Sequence, residues 1–260
     1  MRNKTNYQII SITSINGTKL AYLFPTPGVT PTPGVEEAEM GLRKEDLITE
    51  YCYHIFNKSI AKYVIFKSET DYIRFTMLLK YNIPQIRHGD FSTFLNEYAL
   101  RNHTKQPRPT FDCTSLVQIK AYCIMPTHFH LLLKQLKDNG ISIYMQRLLN
   151  SYAKYFNIKH TRKGPLWQSR FKNVLVETEE QYLHLTRYIH LNPTSAGLVA
   201  KPEEWIYSSY HEYISMSGST NRICKFKETP DFDPDTYRKF VEAGIEHQRD
   251  LAKIKKLILE

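Results

Sequence analysis

The order of hydrophobic patterns after residue 51 constrains the fold more than any other feature of this 260-residue chain. Short apolar runs typical of strands alternate with stretches in which apolar residues recur every three or four positions, as on one face of a helix. The predicted strands cover residues 53–60, 117–125, 128–134 and 171–176, and the predicted helices cover 69–81, 141–156 and 178–192. The order strand, helix, strand, strand, helix, strand, helix predicts an α+β domain of the split βαβ type, with an antiparallel sheet and helices on one face. It leaves open whether the second face is covered.

Two of these helices begin at recognisable caps. Ser68 is the predicted N-cap of the first helix, and Thr178 with Gln181 forms a predicted capping box for the last one. Pro193 predicts that the last helix ends near Asn192, because a proline disfavours a helical conformation in the residue before it. The Asn192 side chain would then lie at a helix end, where it can face a ligand.

The first 50 residues are predicted to be an N-terminal extension. A short strand at residues 7–15 is followed by a tract at 25–35 in which prolines and glycines alternate. Such a tract cannot sustain a helix or a central strand, so it is interpreted as a linker.

The remaining chain divides into a domain and a second extension. The predicted domain covers residues 51–213, and within it residues 82–116 form an insertion loop with one short helix near 91–100. The C-terminal extension covers residues 214–260 and contains a helix predicted at 234–259. A role for that helix in packing, in dimer formation or in DNA binding is left open.

Positive charge is concentrated in the middle of the chain. The net charge is +9, yet residues 51–200 alone carry +11, since 20 Lys and Arg stand against 9 Asp and Glu there. An excess of this size beside a candidate site favours a polyphosphate partner. Basic composition that serves solubility alone is the competing interpretation.

Membrane insertion and secretion are not predicted. The chain has no apolar run of 18 residues and no signal-peptide pattern at its start, which favours a cytoplasmic protein. The cysteines show no CxxC spacing, so they are predicted to be free thiols rather than zinc ligands or a disulfide framework. They are Cys52, Cys113, Cys123 and Cys224.

Four polar side chains could combine into one site. His128 and His130 share one face of their strand because side chains alternate, while Phe129 points to the other. Tyr188 and Asn192 lie one above the other on a helix, because residues four apart are neighbours. If the strand and the helix pack together, two imidazoles, an amide oxygen and a phenol converge.

This combination suits metal-assisted phosphate chemistry. Neutral imidazoles at His128 and His130 and the amide oxygen of Asn192 leave coordination positions open for phosphate oxygens and water, which suits Mg²⁺ or Mn²⁺. Zinc usually recruits a third His, Cys or carboxylate. Tyr188 would be the nucleophile and would form a covalent phosphotyrosine.

Simpler interpretations compete with this one. A His-x-His pair in a strand is most often two ordinary histidines. Tyr152 and Tyr155 are alternative nucleophiles, but the residues four positions later are Phe156 and Lys159, and neither can complete a metal site with two histidines. Only Tyr188 carries a ligand on its own helical face.

Several sequence blocks together resemble a known family. They are AYCIMPTHFHLLL at 121–133, GPLWQSRF at 164–171, YIHLNP at 188–193, AGLV at 196–199, and Trp205 with the Ser-Ser-Tyr of 208–210. In this order and spacing they resemble the REP-associated tyrosine transposases of the HUH single-tyrosine superfamily, over about residues 51–213. His-x-His alone would be weak support, whereas separate blocks in order are specific.

The resemblance implies a function and a site. His128 and His130 match the pair that binds a divalent metal, and Asn192 matches the amide that completes its site. Tyr188 matches the tyrosine that attacks a DNA phosphate, becomes linked to the 5′ side and releases a 3′ hydroxyl. Such proteins act on single-stranded DNA, often a hairpin, and have a ferredoxin-like or RRM-like fold. The resemblance further implies a nucleoid-associated protein that works as a monomer or a homodimer.

The chain also departs from the family pattern. Thr127 stands where asparagine is common before the first histidine, the insertion at 82–116 is long, and the two extensions carry no recognised motif. The proposed chemistry is therefore transferred, and the DNA sequence that the family recognises is not.

A basic loop and its flanks are the candidate DNA contacts. Cations there could bind phosphates and an indole could stack on an unpaired base. The predicted contacts are Lys159, Arg162, Lys163, Trp167, Arg170 and Lys172. The alternative is a solvated basic loop that Trp167 anchors to the core. His184 and His190 stay outside the predicted catalytic set, the latter as a structural or capping residue.

Two other functions remain open from the sequence. A noncatalytic protein that binds single-stranded nucleic acid on an RRM-like sheet would explain the charge, but not the pairing of Tyr188 and Asn192 with His-x-His. A replication initiator or relaxase-type HUH nuclease would share the chemistry and differ in biology, and the block around Asn192 and Pro193 makes it the weaker alternative.

Overall fold

The fold was analysed in a computed structural model that describes residues 7–13, 19–25, 47–87, 89–104, 114–215, 222–225 and 233–250, with side chains described outside 7–13, 19–25 and 101–104. The strands are β1 (Tyr7–Thr13), β2 (Lys19–Pro25), β3 (Cys52–Lys58), β4 (Val117–Met125), β5 (His128–Gln135) and β6 (Lys172–Val176). The helices are α1 (Glu69–Tyr81), α2 (Phe91–Thr104), α3 (Gly140–Lys159), α4 (Glu179–Ser195), α5 (Tyr210–Ile214) and α6 (Pro234–Glu242). No helix within these residues is long and apolar enough to cross a membrane.

Four strands form the central sheet in the order β4-β5-β3-β6, with every neighbouring pair antiparallel. The first and third strands of the domain, β3 and β5, are central, and the second and fourth lie at the edges. This is the ferredoxin-like arrangement, so the predicted α+β class is confirmed. The hairpin β1-β2 forms a separate two-stranded sheet. Of that hairpin only the first strand was predicted.

The main core lies between one face of the sheet and the helices α1 and α3. Ile55, Phe129 and Leu131 project from the central strands and are fully buried against Phe75 of α1 and Tyr152 of α3. Alternation along each strand sends these side chains to the same face. The predicted placement of helices on one face therefore holds for α1 and α3.

The second face of the sheet is partly covered by α4. Ala121 and Leu132 project from β4 and β5 into a smaller buried cluster, where Leu183 and Ile189 of α4 pack against them. Burial of these apolar side chains fixes α4 over the β4 side of the sheet. The question that the sequence left open is thus answered, and the uncovered part of this face lies beside the histidines of β5.

Both predicted N-terminal caps are present. Asp71 closes the capping box of α1 with Ser68, and the Thr178 hydroxyl accepts a hydrogen bond of 3.1 Å from the backbone N–H of Gln181. Gln181 in turn accepts a bond of 2.8 Å from the backbone N–H of Glu177. These bonds satisfy amide groups that a helix start would otherwise leave unpaired.

The predicted end of α4 at Asn192 is wrong, because the helix continues through Pro193 to Ser195. Proline has no backbone N–H, so a helix that contains it lacks one hydrogen bond. In α4 the missing hydrogen bond lies in the last turn. The Ser195 hydroxyl donates to the Leu191 carbonyl at 2.9 Å, and the Ala196 N–H donates to the Asn192 carbonyl at 2.9 Å, which completes the helix end. Asn192 therefore stays on the same helical stripe as Tyr188.

Two further segments differ from the prediction. The insertion contains α2 (Phe91–Thr104), a longer helix than the one predicted near residues 91–100. Residues 105–113 of the insertion lie outside the described part. The C-terminal helix predicted at 234–259 is interrupted at 243–244, before a second helical stretch at 245–250. At the interruption a side chain on Gly244 would meet Arg187 and Leu191 of α4 at 3.0 to 3.2 Å, so close approach to α4 explains the glycine. Residues 251–260 lie outside the described part.

Three cysteines are free thiols, as predicted. Cys123 and Cys224 are buried and Cys52 is half-buried. Cys113 lies outside the described residues.

We predict that Gly140→Ala destabilises the protein. A Cβ at this position, the first of α3, would lie 2.3 Å from the carbonyl oxygen of Leu116, a backbone atom at the start of β4. Relieving such an overlap costs about 1–3 kcal/mol. Thermal unfolding should therefore shift to lower temperature by several degrees, whereas Lys154→Ala on the exposed face of α3 should leave it unchanged. Equal melting temperatures for the two variants would contradict the close contact.

Candidate active site

The pairing of β5 with its two neighbours positions the histidines. His128 and His130 point to the sheet face opposite the main core, while Phe129 between them is fully buried in that core. Lys58 of β3 lies opposite His128, and Phe56 lies opposite His130. The predicted turn at Pro126-Thr127 joins β4 to β5 directly, so His128 is the first residue of its strand. The imidazole centroids are 5.2 Å apart.

A β-bulge in β4 determines which residues of that strand lie opposite the two histidines. The register of β4 against β5 shifts between Ile119 and Ala121, so Lys120 is the extra residue. After the bulge, Cys123 lies opposite His130 and Met125 lies opposite His128. After the bulge β4 buries side chains on both faces, with Tyr122 in the main core and Cys123 in the cluster beneath α4.

Tyr188 of α4 lies over this pair. Its ring centroid is 5.5 Å from that of His130, at an interplanar angle of 85°. The side chain is 39% exposed, which leaves the phenol accessible from solvent. The expected packing of the tyrosine helix beside the histidine strand is therefore confirmed, although the two are 58 residues apart in the chain.

Asn192 follows one helical turn later. Its Nδ2 donates a hydrogen bond of 3.0 Å to the backbone carbonyl of Tyr188, which leaves Oδ1 as the amide atom that can bind a cation. Burial raises the pKa of the Tyr188 phenol, and a hydrogen bond with the Asn192 side chain opposes that shift. The phenol is accordingly neutral in the free protein at physiological pH.

A third histidine belongs to the site and was missed by the sequence analysis. Nε2 of His54, on β3, lies 2.9 Å from Nδ1 of His130. The two rings stack with centroids 5.1 Å apart, and His54 also contacts the edge of Tyr188 at 6.1 Å. Alternation along β3 could have assigned His54 to the face opposite Tyr53 and Ile55. Its meeting with His130 requires knowledge that β3 pairs with β5.

Burial favours the neutral state, which metal binding requires, at His54 and His128. Burial lowers the pKa of His54 to about 4. Burial also lowers the pKa of His128 to about 4, and the neighbouring Lys58 ammonium adds to the effect. A neutral imidazole already has an unprotonated nitrogen, so it can bind a metal at neutral pH without releasing a proton.

The donor set fits a hard divalent cation. Thr127 Oγ1 lies 3.0 Å from Nδ1 of His128, and Nε2 of His54 lies 2.9 Å from Nδ1 of His130. Coordination through Nε2 of both rings is the geometry compatible with these contacts. Among the described residues, no group of three His, Cys, Asp or Glu side chains is arranged to hold a metal. The Asn192 amide lies one helical turn after Tyr188, and oxygen ligands of this kind suit Mg²⁺ or Mn²⁺ better than zinc.

A buried hydrogen-bond chain sets the position of α4 relative to the sheet. Nδ1 of His190 lies 2.7 Å from the Tyr237 hydroxyl of α6, and its Nε2 lies 2.7 Å from Oγ of Ser209. The Ser209 hydroxyl also accepts a hydrogen bond of 2.9 Å from the backbone N–H of Tyr122 on β4. His190 is therefore structural, as expected. His184 contacts the Arg187 guanidinium at 2.9 Å and takes no part in the site.

Lys159, one of the predicted DNA contacts, is engaged within the protein. Its ammonium lies 2.7 Å from the fully buried carboxylate of Asp71, and it also reaches Ser68, Thr70 and Tyr155 at 2.8 to 3.1 Å. Burial alone would raise the pKa of the Asp71 carboxylate. Hydrogen bonds from Lys159, Ser68 and Tyr155 instead hold that pKa below its ordinary value of 3.8. Lys159 thus ties the end of α3 to the start of α1.

Arg162 and Trp167 are also engaged within the protein. The Arg162 guanidinium donates to Asn157 Oδ1 and to the carbonyls of Gly164 and Pro165 at 2.7 to 3.2 Å. The Trp167 indole donates to the Leu149 carbonyl at 3.1 Å, and its ring packs on the core aromatics. These contacts support the alternative interpretation, in which Trp167 anchors a basic loop to the core.

Four of the predicted contacts are exposed, namely Lys163, Arg170, Lys172 and the ion-paired Lys159. Lys172 lies opposite Phe56 on β3, so it shares the sheet face of the histidines. Lys58, which the sequence analysis did not select, is exposed on that face beside His128. Cations therefore border the histidine pair.

Known proteins are similar to the segment of the chain that carries this site. Residues 93–192 match the model of a family described as IS200-like transposases, a segment that includes both histidines, Tyr188 and Asn192. A Haemophilus influenzae protein described as a candidate REP-associated tyrosine transposase is 31% identical over 105 residues, which cover 36% of this chain and 59% of that protein. The REP-associated tyrosine transposase of Escherichia coli K12 is 23% identical over 135 residues, which cover 50% of this chain and 74% of that protein.

A solved structure, that of a REP-associated tyrosine transposase bound to a REP hairpin, aligns with 74% of this chain and 95% of its own, at 18% identity and a TM-score of 0.44. In sequence the chain spans about three fifths of the Haemophilus relative that it matches. The resemblance inferred from the motif blocks is thus confirmed: the segment that carries the histidine pair and Tyr188 is related to the IS200-like and REP-associated tyrosine transposases.

Proposed function

We propose that this protein is a transposase that cleaves and rejoins single-stranded DNA through a covalent bond to Tyr188. The observation that carries the proposal is the position of the Tyr188 ring, 5.5 Å from His130 and on the accessible side of the histidine pair. A phenol nucleophile beside two imidazoles and an amide oxygen that could hold a metal ion suits phosphodiester cleavage. The family match over the same residues points to DNA as the substrate.

In the proposed reaction the Tyr188 oxygen attacks a DNA phosphorus atom. A bond forms between that oxygen and phosphorus, and the bond from phosphorus to the 3′ oxygen breaks. The phenol loses its proton and the departing 3′ oxygen gains one, which leaves a 5′-phosphotyrosine and a 3′ hydroxyl. Rejoining is the reverse attack by a 3′ hydroxyl, so no nucleotide cofactor is consumed.

The chain's own residues would prepare this step in two ways. A hydrogen bond with the Asn192 side chain lowers the pKa of the Tyr188 phenol against the raising effect of burial, which favours loss of the proton on attack. Nε2 of His128, Nε2 of His130 and Oδ1 of Asn192 would hold a Mg²⁺ or Mn²⁺ ion, which supplies charge neutralisation at the phosphate. Lys58 and Lys172 border the site and would bind the flanking phosphates.

We further propose that the catalytic unit extends beyond the predicted boundary at residue 213. Tyr237 and Val241 of α6 are buried against Leu191 of α4 and Tyr210 of α5. Gln248 donates a bond of 3.2 Å to the Tyr188 carbonyl. The C-terminal segment would therefore help to hold the tyrosine helix in place.

A noncatalytic binder of single-stranded nucleic acid is the alternative, and it uses the same basic sheet face. It provides no reason for a phenol and an amide beside the histidine pair. A shifted band without a covalent adduct, with and without Mn²⁺, would favour this alternative.

We predict that Tyr188→Phe abolishes covalent attachment to DNA and preserves DNA binding. The substitution removes the attacking oxygen and keeps the ring that packs on His130. Labelled hairpin oligonucleotides with single-stranded flanks, incubated with Mn²⁺ and run on a denaturing gel, report the adduct, and a native gel reports binding. Tyr51→Phe, at a tyrosine that is 49% exposed and directly precedes β3, is the matched control and should form adduct normally. An adduct that survives Tyr188→Phe would refute the assignment.

We predict that cleavage depends on a divalent cation held by the histidine pair. His128→Ala should reduce the cleavage rate about 100-fold or more, because one ligand of the charge-stabilising ion is lost. EDTA should stop cleavage by the wild-type protein, and added Mn²⁺ or Mg²⁺ should restore it. Circular dichroism verifies that the variant is folded. Full cleavage in EDTA would count against the metal role.

We predict that Lys159 and Lys163 differ in what they support. Lys159→Met leaves the buried Asp71 without its cation, so it should lower the free energy of unfolding by about 1–3 kcal/mol. Lys163→Met, at an exposed position, should leave stability unchanged. It should weaken DNA binding and reduce the slope of log K against log salt by about one. A slope change in Lys159→Met without a stability change would reverse this assignment.

A further inference from the structure

His54 stands out among the polar groups that the proposed reaction does not use. It lies on β3, diagonally across from His130, and its Nε2 lies 2.9 Å from Nδ1 of His130. The rings lie nearly parallel, with an interplanar angle of 22°. A contact of this length between ring nitrogens is a hydrogen bond in which one imidazole donates and the other accepts.

The direction of that bond decides which nitrogen of His130 can bind a metal. A neutral imidazole carries one N–H, and only its other nitrogen has a lone pair for a ligand. If Nδ1 of His130 donates to His54, then Nε2 of His130 carries the lone pair. If His54 donates instead, Nε2 of His130 carries the hydrogen and cannot coordinate.

The neighbouring histidine is held in a parallel way. Nδ1 of His128 lies 3.0 Å from the Thr127 hydroxyl, whose oxygen can accept a hydrogen bond. Each imidazole of the pair is thus engaged through Nδ1, His128 by Thr127 of the β4–β5 turn and His130 by His54 of β3. Metal-binding histidines commonly donate their second ring N–H to such a partner, which fixes the tautomer and the ring orientation.

We propose that His54 is a positioning residue for the metal site: it accepts a hydrogen bond from the Nδ1–H of His130 and so holds Nε2 of His130 ready to coordinate. The proposal rests on the function proposed above and adds a residue to it. His54 also touches the edge of the Tyr188 ring, with centroids 6.1 Å apart, so the same side chain borders the ligand and the nucleophile.

The tautomer can be read without any metal or DNA. In the full-length wild-type protein labelled with ¹⁵N-histidine, long-range ¹H–¹⁵N correlation spectra distinguish protonated from unprotonated ring nitrogens. We expect His130 to carry its hydrogen on Nδ1, with assignment from the His130→Gln spectrum. A hydrogen on Nε2 of His130 would overturn the proposal, whatever the variants do.

Two substitutions test the consequence for metal affinity. His54→Leu keeps an apolar body of similar size and removes the acceptor, and we expect it to weaken Mn²⁺ binding 10- to 100-fold in calorimetry. His54→Gln offers an amide oxygen at a similar reach and should restore affinity to within a few-fold of wild type. Equal Mn²⁺ affinity in His54→Leu and the wild type, with an unchanged His130 spectrum, would overturn the proposal.

The same measurements separate this proposal from the proposed function. Mn²⁺ binding by the wild-type protein and its loss in His128→Ala test the metal site itself. If the wild type fails to bind Mn²⁺, the metal role fails, and the His130 tautomer still decides the direction of the hydrogen bond to His54. Thermal unfolding of both His54 variants verifies that altered affinity does not arise from an unfolded chain.

Discussion

The packing of α4 on the second face of the sheet is the contact on which the candidate site depends. Leu183 and Ile189 are buried against β4 and β5, and this burial brings Tyr188 over His130. The hydrogen bonds of His190 to α6 and to the α5 region hold the same helix from its other side. A ferredoxin-like sheet whose helices all lay on one face would leave the histidines exposed to solvent with no phenol above them.

Chemistry follows from this juxtaposition because the site is half-open. The uncovered part of the sheet face gives a phosphate access to the phenol, while the flanking burial keeps His54 and His128 neutral. Cations at Lys58 and Lys172 border that opening. In the proposed function the two contributions differ in kind, since burial would keep metal ligands neutral and exposed charge would attract DNA.

Much of this arrangement could be predicted from local sequence signals. Hydrophobic periodicity located the four strands and the helices of the domain, and the capping signals at Ser68 and Thr178 marked true helix starts. The failures share a cause, which is that they depend on contacts between distant segments. The continuation of α4 past Pro193 is stabilised by bonds around the helix end, and the interruption at Gly244 reflects close approach to α4.

His54 and Lys159 show the same limit within the site. Their residue types gave no indication of role, because His54 acquires one only when β3 pairs with β5, and Lys159 only when α3 meets the buried Asp71. The positions of His128, His130, Tyr188 and Asn192 could be predicted to share faces, since i+2 and i+4 spacing fixes that locally. Which faces meet could not be predicted from spacing.

The most direct test of the account is to locate the nucleotide on the protein. The full-length chain is incubated with a hairpin oligonucleotide and Mn²⁺, digested with nuclease and protease, and the peptide that carries a residual nucleotide is sequenced by mass spectrometry. The account predicts a single modified residue, Tyr188. A nucleotide on any other side chain, or no modified peptide under conditions where the hairpin is bound, would contradict it.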